Sequence, residues 1–462
     1  MNLWDYSIWH FILQMAVVLV SILFGNLLRR KIKFIKSSLL PASVIGGILI
    51  FIFKFIPVVG DFIDEGFMET LTYHYLGLGF VAMTLKAGKS KKTDKMTIVD
   101  CGITTVNGYL IQALIGLVVS VGFTLTFFPD LFYAAGLLLP MGFGQGTGQA
   151  LNIGKVYESM GFENGSGFGL SIAAIGFLVA CIVGVIYLNI LRKRGKLELQ
   201  KQRKEIANEL NSDIYVENEA PLNDSVDKFT VQLAFVFGVY LITYLFILGL
   251  STLAVNYLGN FGVNTIRPLL WGFNFLFGTI FAILTKMVMN KLQKHKIFKH
   301  VHINSYMMSR LSGFFFDAMI VAGIAAINYQ ELKGLLVPLI VMCILGAIGT
   351  FAYIRFVCEK IYPEYKYEAF CSIFGMLTGT ASTGMILLRE IDPNYETPAA
   401  DNLVFQQIPA IVFGAPILLL IPFAGQNFNN CLIVLAIVVV LFIGYNLFLF
   451  RKQVFKKRKK KE

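Results

Sequence analysis

Charged residues are scarce in this sequence. They account for 15% of the 462 residues, whereas soluble globular proteins carry about 25%. Hydrophobic residues reach 56%, and charge-free stretches of about 20 residues, long enough to cross a bilayer as a helix, recur along the chain. The alternation over about ten residues that marks barrel strands is missing. The composition therefore excludes a soluble domain and predicts an all-α polytopic membrane protein.

Motifs for metal, disulfide and hydrolytic chemistry are also missing. The six cysteines are scattered without a CxxC pair, so we expect neither a disulfide framework nor a zinc site. Because HExxH and GxSxG do not occur, an enzyme embedded in the membrane is the least favoured class, and no cofactor is expected. The net charge of +12 comes from clusters at the ends of apolar stretches, which is typical of cytoplasmic loops and not of a nucleic-acid groove.

Hydropathy predicts eleven membrane-spanning helices. The first, Ile8 to Leu28, is too long for the apolar core of a signal peptide and no cleavage site follows it, so we expect it to be retained. The predicted spans lie near residues 8–28, 39–56, 68–85, 102–127, 168–191, 229–257, 268–288, 309–327, 334–356, 402–423 and 430–450.

Clusters of lysine and arginine orient these spans. Arg29, Arg30 and Lys31 end the first span and a basic tail ends the chain, whereas the loop at residues 57–70 is acidic. Since cytoplasmic loops carry the excess of basic residues, we expect the N-terminus outside and the C-terminus in the cytoplasm. The expected location is the inner (cytoplasmic) membrane of the cell.

Two further apolar stretches, residues 131–160 and 367–388, are broken by glycine and polar residues, and we interpret them as re-entrant hairpins. If 131–160 crossed the membrane completely, the basic linker after Leu191 would face outward, against the rule that orients the other loops. The same argument applies to 367–388 and the basic C-terminus. We therefore expect the first hairpin to enter from outside and the second from the cytoplasm. Irregular backbone at that depth is tolerated only where protein buries it or it lines a cavity.

The chain then divides into two halves of opposite topology. Each half has four spans, a glycine-rich hairpin and a fifth span, and such inverted five-helix repeats recur in secondary transporters, with binding sites near the midplane. The predicted regions are a first repeat at 1–191, a cytoplasmic linker at 192–228, a second repeat at 229–425, and an extra C-terminal helix with the basic tail at 426–462.

The first hairpin carries four glycines at alternate positions, from Gly142 to Gly148. Each costs a helix about 1 kcal/mol relative to alanine, so the run unwinds the helix and frees its N–H and C=O groups for a ligand. Close helix packing of the small-xxx-small type is the alternative. The predicted substrate-binding residues here are Gly144, Gln145, Gly146, Thr147 and Gly148.

Hydroxyl groups crowd the second hairpin, where four of the seven residues from Thr378 to Gly384 are threonine or serine. Hydroxyls and freed carbonyls coordinate sodium, and helix N-termini at such a break attract carboxylates. A hydrogen bond back to the i−4 carbonyl is the alternative for each hydroxyl. The predicted substrate-binding residues here are Thr380, Ser382 and Thr383, and the predicted sodium ligands are Thr378 and Gly379.

Polar residues inside the other spans are fewer. Asp317 lies in an apolar stretch with no basic residue within a turn. An aspartate at the bilayer centre costs about 2.5–3.5 kcal/mol, and such residues mark ion paths, so we predict a sodium ligand or a protonatable site. A hydrated position near the cytoplasmic end, two turns after Arg310, is the alternative. For Gln112 and Asn274 we expect hydrogen bonds between helices, and for Lys54 an amine that reaches outward to the interface.

At its two hairpins the sequence resembles the bacterial sodium/glutamate symporter family. The likeness covers about residues 8–425 and is most specific in the hairpins. The matching residues are Gly144-Gln-Gly-Thr-Gly148, Gly161-Phe162-x-Asn164 and Thr378-Gly-Thr-Ala-Ser-Thr383, with Pro41, Gly46-Gly47 and Lys86-Ala-Gly88 as minor matches.

This resemblance implies two inverted five-span halves, import of L-glutamate with sodium, and a homodimer in the lipid membrane with a mobile transport core. The chain also departs from the family. The family's first loop commonly has histidine where this chain has Gln145, and Asp317 stands where better-known members have an apolar residue. The family's second loop is closer to GxGATPTA, where this chain reads LTGTASTG.

We therefore expect a secondary active transporter that imports L-glutamate, or a related anionic solute, with sodium as the coupling ion. A proton-coupled or dicarboxylate-specific carrier of the same fold is the main alternative. An ion channel is less favoured, because both loops lack the TVGYG filter pattern and inverted repeats do not build a ring of identical filters.

Overall fold

A computed structural model gives the architecture of the chain. Most of the linker predicted at 192–228 and nearly all of the predicted basic tail lie outside the described residues, as does Gly88. The structure describes residues 3–33, 35, 40–86, 95–195, 227–295, 303–328, 330, 334–392 and 397–451.

The protein is built from helices. Helix accounts for 87% of the structure and no strand occurs among the described residues, which confirms the all-α class. Besides α-helices, the described residues form the 3₁₀ helices Tyr133–Leu137 and Pro363–Tyr365 and the π-helices Pro140–Gly144 and Gly262–Ile266. The α-helices are α1 (Tyr6–Lys31), α2 (Ala42–Phe53), α3 (Pro57–Phe62), α4 (Glu65–Lys86), α5 (Lys95–Leu125), α6 (Thr147–Glu158), α7 (Gly165–Lys193), α8 (Lys228–Phe261), α9 (Arg267–Gly272), α10 (Asn274–Lys294), α11 (Ser305–Ala325), α12 (Leu336–Ile361), α13 (Lys366–Thr378), α14 (Ala381–Arg389), α15 (Ala399–Phe405), α16 (Gln407–Gly425) and α17 (Phe428–Leu449).

Eight of these helices are long and apolar enough to cross a membrane, namely α1, α5, α7, α8, α10, α11, α12 and α17. The other three predicted crossings fall on α2, α4 and α16. α2 has 12 residues, or about 18 Å of helix, which is shorter than the hydrocarbon core of about 30 Å. α16 contains Pro416 and Pro422, which interrupt its hydrogen bonding. The eight helices make this a membrane protein, and the other three crossings stay predictions.

The chain folds into two compact units, each assembled from separate stretches of sequence. The division follows spatial contacts and not sequence repeats, so the inverted repeats stay a prediction. The first unit comprises Met1–Leu19, Gly66–Lys89 and Leu199–Ala322, and the second comprises Val20–Glu65, Ser90–Glu198 and Gly323–Glu462.

The core of the first unit is formed by α4, α8, α10 and α11. Leu78 of α4, Val236 of α8 and Phe315 of α11 belong to one buried apolar cluster. Beside it, the side-chain amide of Asn274 in α10 donates a hydrogen bond to the hydroxyl of Tyr240 in α8, at 2.9 Å. This is the interhelical hydrogen bond expected of Asn274.

The core of the second unit is aromatic. The ring of Tyr187 in α7 lies 4.4 Å from that of Phe370 in α13, and the ring of Phe351 in α12 lies 5.1 Å from Phe370. Phe370 also stacks on Phe374, with centroids 5.3 Å apart. These rings hold α13, the first arm of the second predicted hairpin, between α7 and α12.

Lys54, which follows α2 directly, is buried and does not reach outward. Its side chain is 7% exposed and pairs with Glu65. Its amine also donates to the carbonyl oxygens of Ala325, at 3.0 Å, and Ile327, at 3.1 Å. The expectation that this lysine extends to the interface is wrong, because the open carbonyls at the end of α11 attract a cation.

The extra C-terminal helix α17 is attached to α5 and α12 by polar contacts. Arg451 pairs with both carboxylate oxygens of Asp100, at 2.7 and 3.1 Å. The hydroxyl of Tyr353 in α12 donates to the side-chain oxygen of Asn446, at 2.8 Å. Only 17% of the most apolar window of α17 is buried. The helix is therefore held by polar side chains and by a narrow buried face that includes Val434 and Val438, and the rest of its apolar surface is exposed.

Replacing Lys54 by methionine tests the contacts of this buried amine. The variant keeps the apolar stem but removes the donor from Glu65 and from the carbonyls of Ala325 and Ile327. We expect the free energy of unfolding to fall by about 1–3 kcal/mol, because buried acceptors then lack a partner. Denaturation of the purified protein in mixed micelles measures the change.

Arg355→Met is the matched control. Arg355 pairs with Glu359 at 3.3 Å on an exposed surface, with both side chains nearly half exposed. Such pairs contribute about 0–1 kcal/mol, so the control is expected to lose little. Equal losses in the two variants would mean that the Lys54 contacts contribute no more than a surface pair.

Candidate functional site

The first broken stretch runs back along α5. Ser120 of α5 donates to the carbonyl oxygen of Tyr133, at 2.7 Å. One turn earlier on α5, Gly116 meets Gly136 backbone to backbone, since a β-carbon on Gly116 would lie 2.0 Å from the carbonyl oxygen of Gly136. The stretch is therefore antiparallel to α5, and no side chain fits at this crossing.

After the break, the stretch runs along α7 instead. A β-carbon on Gly154 of α6 would lie 2.5 Å from the Cα of Ser166. A β-carbon on Gly169, further along α7, would lie 2.7 Å from the carbonyl oxygen of Ala150. Because later residues of α7 meet earlier residues of α6, the two helices are antiparallel.

The two arms close into a hairpin at their outer ends. The ring of Phe132 lies 5.0 Å from that of Tyr157 and stacks on Phe162 at 5.2 Å. At the other end the tip reaches the middle of α5, where a β-carbon on Gly144 would lie 2.4 Å from Cε1 of Tyr109. Residues 131–160 thus form a helical hairpin, and its entry into the membrane from outside stays a prediction.

The break in the first hairpin falls at Gln145 and Gly146. The π-helix ends at Gly144, and Gly146 has a φ of +80°, a conformation that strains any residue with a β-carbon. α6 then begins at Thr147 with no side-chain cap. The helix is therefore broken within the glycine run, as predicted, but only at Gly146, because Gly142, Gly144 and Gly148 lie in helical turns.

The second broken stretch is also a helical hairpin. α13 and α14 are its arms, and they pack through glycine: a β-carbon on Gly384 would lie 2.3 Å from the carbonyl oxygen of Ser372. The break falls at Gly379 and Thr380. Thr380 caps α14, because its hydroxyl accepts from the backbone N–H of Thr383 at 3.4 Å.

The bases of the two hairpins lie at opposite ends of α7. At the start of α7, Glu158 from the end of the first hairpin accepts from the backbone N–H of Ser166 at 2.8 Å. At its end, Arg192 pairs with Glu390, directly after the second hairpin, at 3.3 Å. The two hairpins therefore approach each other along one helix from opposite ends, and their entry from opposite faces of the membrane stays a prediction.

The two tips meet at Gly176 of α7. A β-carbon on Gly176 would lie 2.6 Å from the carbonyl oxygen of Thr378 and 2.9 Å from Cδ1 of Phe143, so both hairpins touch this one residue. Nearby, a β-carbon on Gly146 would lie 3.5 Å from Cγ2 of Thr380. Gly176 is about 16 Å from the start of α7 and about 24 Å from Arg192 near its end, so the meeting point is well inside the helix bundle.

Four helix ends converge where the tips meet. The N-termini of α6 and α14 carry partial positive charge, and the C-termini of α13 and of the π-helix Pro140–Gly144 carry partial negative charge, up to roughly half an elementary charge each. N-terminal N–H groups bind carboxylates, and C-terminal carbonyls bind cations. The arrangement can therefore hold an anion and a cation side by side.

The predicted residues of the first hairpin lie at this junction. Gln145 accepts a hydrogen bond from the side chain of Gln149 at 3.1 Å. Thr147 is fully buried, and its hydroxyl makes no hydrogen bond with the described residues. Gly144 and Gly146 flank the break, and Gly148 lies in the first turn of α6.

The predicted residues of the second hairpin partly satisfy one another. The hydroxyl of Thr378 donates to the carbonyl oxygen of Phe374 at 2.8 Å, which is the i−4 bond given as the alternative for these hydroxyls. Thr380 and Thr383 place their hydroxyls 3.4 Å apart. Gly379 ends α13. The side chain of Ser382 lies outside what the structure describes.

Asp317 belongs to the first compact unit, whereas both hairpins belong to the second. It lies in the middle third of α11, and its side chain is exposed. Its assignment as a sodium ligand stays a prediction.

Gln112 is the residue at this site that sequence reasoning undervalued. It is fully buried and its amide donates to the carbonyl oxygen of Leu377 at 2.8 Å and to Thr350 at 3.1 Å. The interhelical hydrogen bonding expected of it is confirmed. Its place beside both hairpin tips has no signal in the sequence, because a lone glutamine in an apolar helix looks the same anywhere in the bundle.

No model of a known protein family matches this chain, and no curated protein matches it either. The resemblance to the sodium/glutamate symporters therefore stays a prediction, and the function is argued from the site alone.

Replacing Gly384 by alanine tests the packing of the second hairpin. The added carbon would lie 2.3 Å from the carbonyl oxygen of Ser372, so the arms must separate. We expect a loss of about 1–3 kcal/mol in the free energy of unfolding, which is typical of overpacking. Denaturation in mixed micelles measures it.

Gly238→Ala provides the control. It lies inside α8, and nothing stands within 4 Å of its β-carbon position. Alanine favours a helix over glycine by about 1 kcal/mol, so this variant is expected to be as stable as the parent or more so. An equally harmless Gly384→Ala would contradict close packing of Gly384 against Ser372.

Proposed function

We propose that the protein is a secondary active transporter that imports L-glutamate, or a related anionic solute, together with sodium. The observation that carries this proposal is the meeting of two hairpin tips at Gly176 of α7, with both helices broken there. Broken helices at membrane depth occur where they line a binding site or cavity, and transporters use them to bind solute and ion.

The anionic part of the solute is assigned to the helix N-termini. α6 starts at Thr147 and α14 at Ala381, and both starts follow directly on a break. Their N–H groups and partial positive charge suit a carboxylate, and two such ends suit a solute with two carboxylates. Gly146 permits close approach, because it presents backbone and no side chain.

Sodium is assigned to the C-terminal carbonyl groups of α13 and to the hydroxyls on both sides of the break. Thr378 donates its proton to Phe374, which leaves the lone pairs of its oxygen for a cation. The hydroxyls of Thr380 and Thr383, 3.4 Å apart, add further oxygen atoms. Sodium entry down its gradient would then drive accumulation of the solute by alternating access.

A proton-coupled carrier is the second candidate. The observation that favours it is Asp317, a carboxylate with an exposed side chain inside a helix apolar enough to span the membrane. Carboxylates in such positions serve as proton or ion sites in transporters.

Uptake into proteoliposomes tests the proposal. With an inward sodium gradient, we expect labelled L-glutamate to accumulate above its equilibrium level, because ion entry supplies the free energy. Replacing sodium by choline, or dissipating the gradient with an ionophore, is expected to abolish accumulation. Uptake indifferent to the sodium gradient would reject sodium coupling, and currents far above carrier turnover would indicate a channel.

Thr383→Val sharpens this experiment by locating the site. The variant removes one buried hydroxyl at the break without changing the shape of the side chain, and we expect the sodium concentration for half-maximal uptake to rise about tenfold. Thr126→Val is the control, since that hydroxyl is exposed and donates to the carbonyl oxygen of Gly122 at 2.7 Å. Equal behaviour of the two variants would place sodium elsewhere.

Asp317→Asn separates the two coupling ions. If Asp317 is a sodium ligand, the variant keeps sodium-driven uptake with the half-saturating sodium concentration raised about tenfold, because a neutral oxygen replaces a charged one. An unchanged value would remove Asp317 from the proposed ligands. Wild-type uptake that follows a proton gradient, and loses this dependence in the variant, would establish the second candidate. Asp61→Asn, at an exposed position in α3, is the control.

A further inference from the structure

Gln112 connects the two hairpins from α5. Its side chain is fully buried. The nitrogen Nε2 donates to the carbonyl oxygen of Leu377, in the last turn of α13, at 2.8 Å, and to the hydroxyl of Thr350 in α12 at 3.1 Å. One side of the amide is therefore committed to the second hairpin.

The orientation of this amide follows from its partners. A backbone carbonyl only accepts hydrogen bonds, so the NH₂ group must face Leu377. The hydroxyl of Thr350 can donate or accept and decides nothing. The oxygen Oε1 of Gln112 must then point away from Leu377.

Oε1 of Gln112 points to the first hairpin. A β-carbon on Gly144, directly before the break, would lie 3.2 Å from it. Oε1 is buried and accepts no hydrogen bond from any residue that the structure describes. A buried acceptor without a partner destabilises the folded protein, and this one lies beside the breaks in the two hairpins.

The chemistry of this position selects a positive group. A carboxamide oxygen only accepts, and so does the carbonyl oxygen of Gly379 at the break of the second hairpin, which lies 3.8 Å from the β-carbon position of Gly146 at the break of the first. Two such oxygens repel a carboxylate and favour a cation. The cation side of the site thus extends from the second hairpin across to α5.

We propose that Oε1 of Gln112 binds a positively charged group held between the hairpin tips, either the coupling ion or the ammonium group of the solute. The inference rests on the proposed function and names the residue that holds the cation on the α5 side. Because the same amide binds Leu377, a cation on Oε1 links the first hairpin to the second.

The experiment measures binding to the purified protein without transport. The unfolding temperature is first measured at increasing sodium chloride concentrations, with choline chloride as the ionic-strength control. It is then measured at a fixed sodium concentration with increasing L-glutamate or glutarate. Glutarate has the two carboxylates of L-glutamate but no ammonium group. Gln112→Leu removes the oxygen, and Gln112→Glu keeps an acceptor there and adds negative charge. Thr104→Val is the matched control. Thr104 lies on α5 like Gln112 but away from the tips, and the variant loses a buried hydrogen bond to Tyr362.

We expect Gln112→Leu to weaken binding at least tenfold and Gln112→Glu to retain or strengthen it, while Thr104→Val leaves it unchanged. Weaker binding of sodium itself identifies the coupling ion as the cation on Oε1. Weaker binding of L-glutamate but not of glutarate identifies the ammonium group of the solute instead. If Gln112→Leu does not fold, Gln112→Glu decides the test. Weaker binding of sodium and L-glutamate in Gln112→Glu than in the wild type then overturns the inference, because an amide with a purely structural role is harmed most by replacement with a glutamate side chain.

Unchanged binding in Gln112→Leu also overturns the inference and leaves the proposed function standing when wild-type uptake is sodium-driven. A wild-type protein that responds to neither sodium nor either solute overturns the proposed function and this inference together.

Discussion

Contact between backbones at glycine is the constraint on which the hairpin unit depends. Gly116 against Gly136, Gly384 against Ser372, and Gly176 against Thr378 all lack room for a β-carbon. Such contacts let broken helices lie against continuous ones, so the irregular backbone is buried in protein and not in lipid. The glycines thus have two roles, because some break the helices and others make space for the broken pieces.

The sequence was sufficient to predict where the two helices break, whereas the entry of the hairpins from opposite faces of the membrane stays a prediction. The run around Gly146 and the hydroxyl cluster around Thr380 are local signals, and the positive-inside rule constrains loops one by one. The packing partners were not predictable in this way. Lys54 illustrates the reason, since the carbonyl of Ala325 that binds it lies 271 residues away in the chain. Only the folded chain brings that acceptor to the lysine.

Chemical differences between the two tips were also hidden in the sequence. The second hairpin has more hydroxyls, but Thr378 and Thr380 bond within their own helices. Among the buried oxygens without described partners, Thr147 Oγ1 and Gln149 Oε1 lie on the first hairpin and Gln112 Oε1 lies beside it on α5, whereas none belongs to a described side chain of the second hairpin. The number of polar residues in a hairpin therefore does not show how many of its polar groups lack a hydrogen-bond partner, because a count ignores which groups bond to each other.

The attachment of α17 has a consequence for the stability of α5 in lipid. Asp100 of α5 is 8% exposed and is neutralised by Arg451, at the far end of α17. Taking a carboxylate into a medium of low dielectric constant without its counter-ion is expensive. The last helix therefore covers part of α5 and positions the arginine that neutralises this carboxylate. A chain cut before Arg451 would leave a bare negative charge at the edge of the bundle.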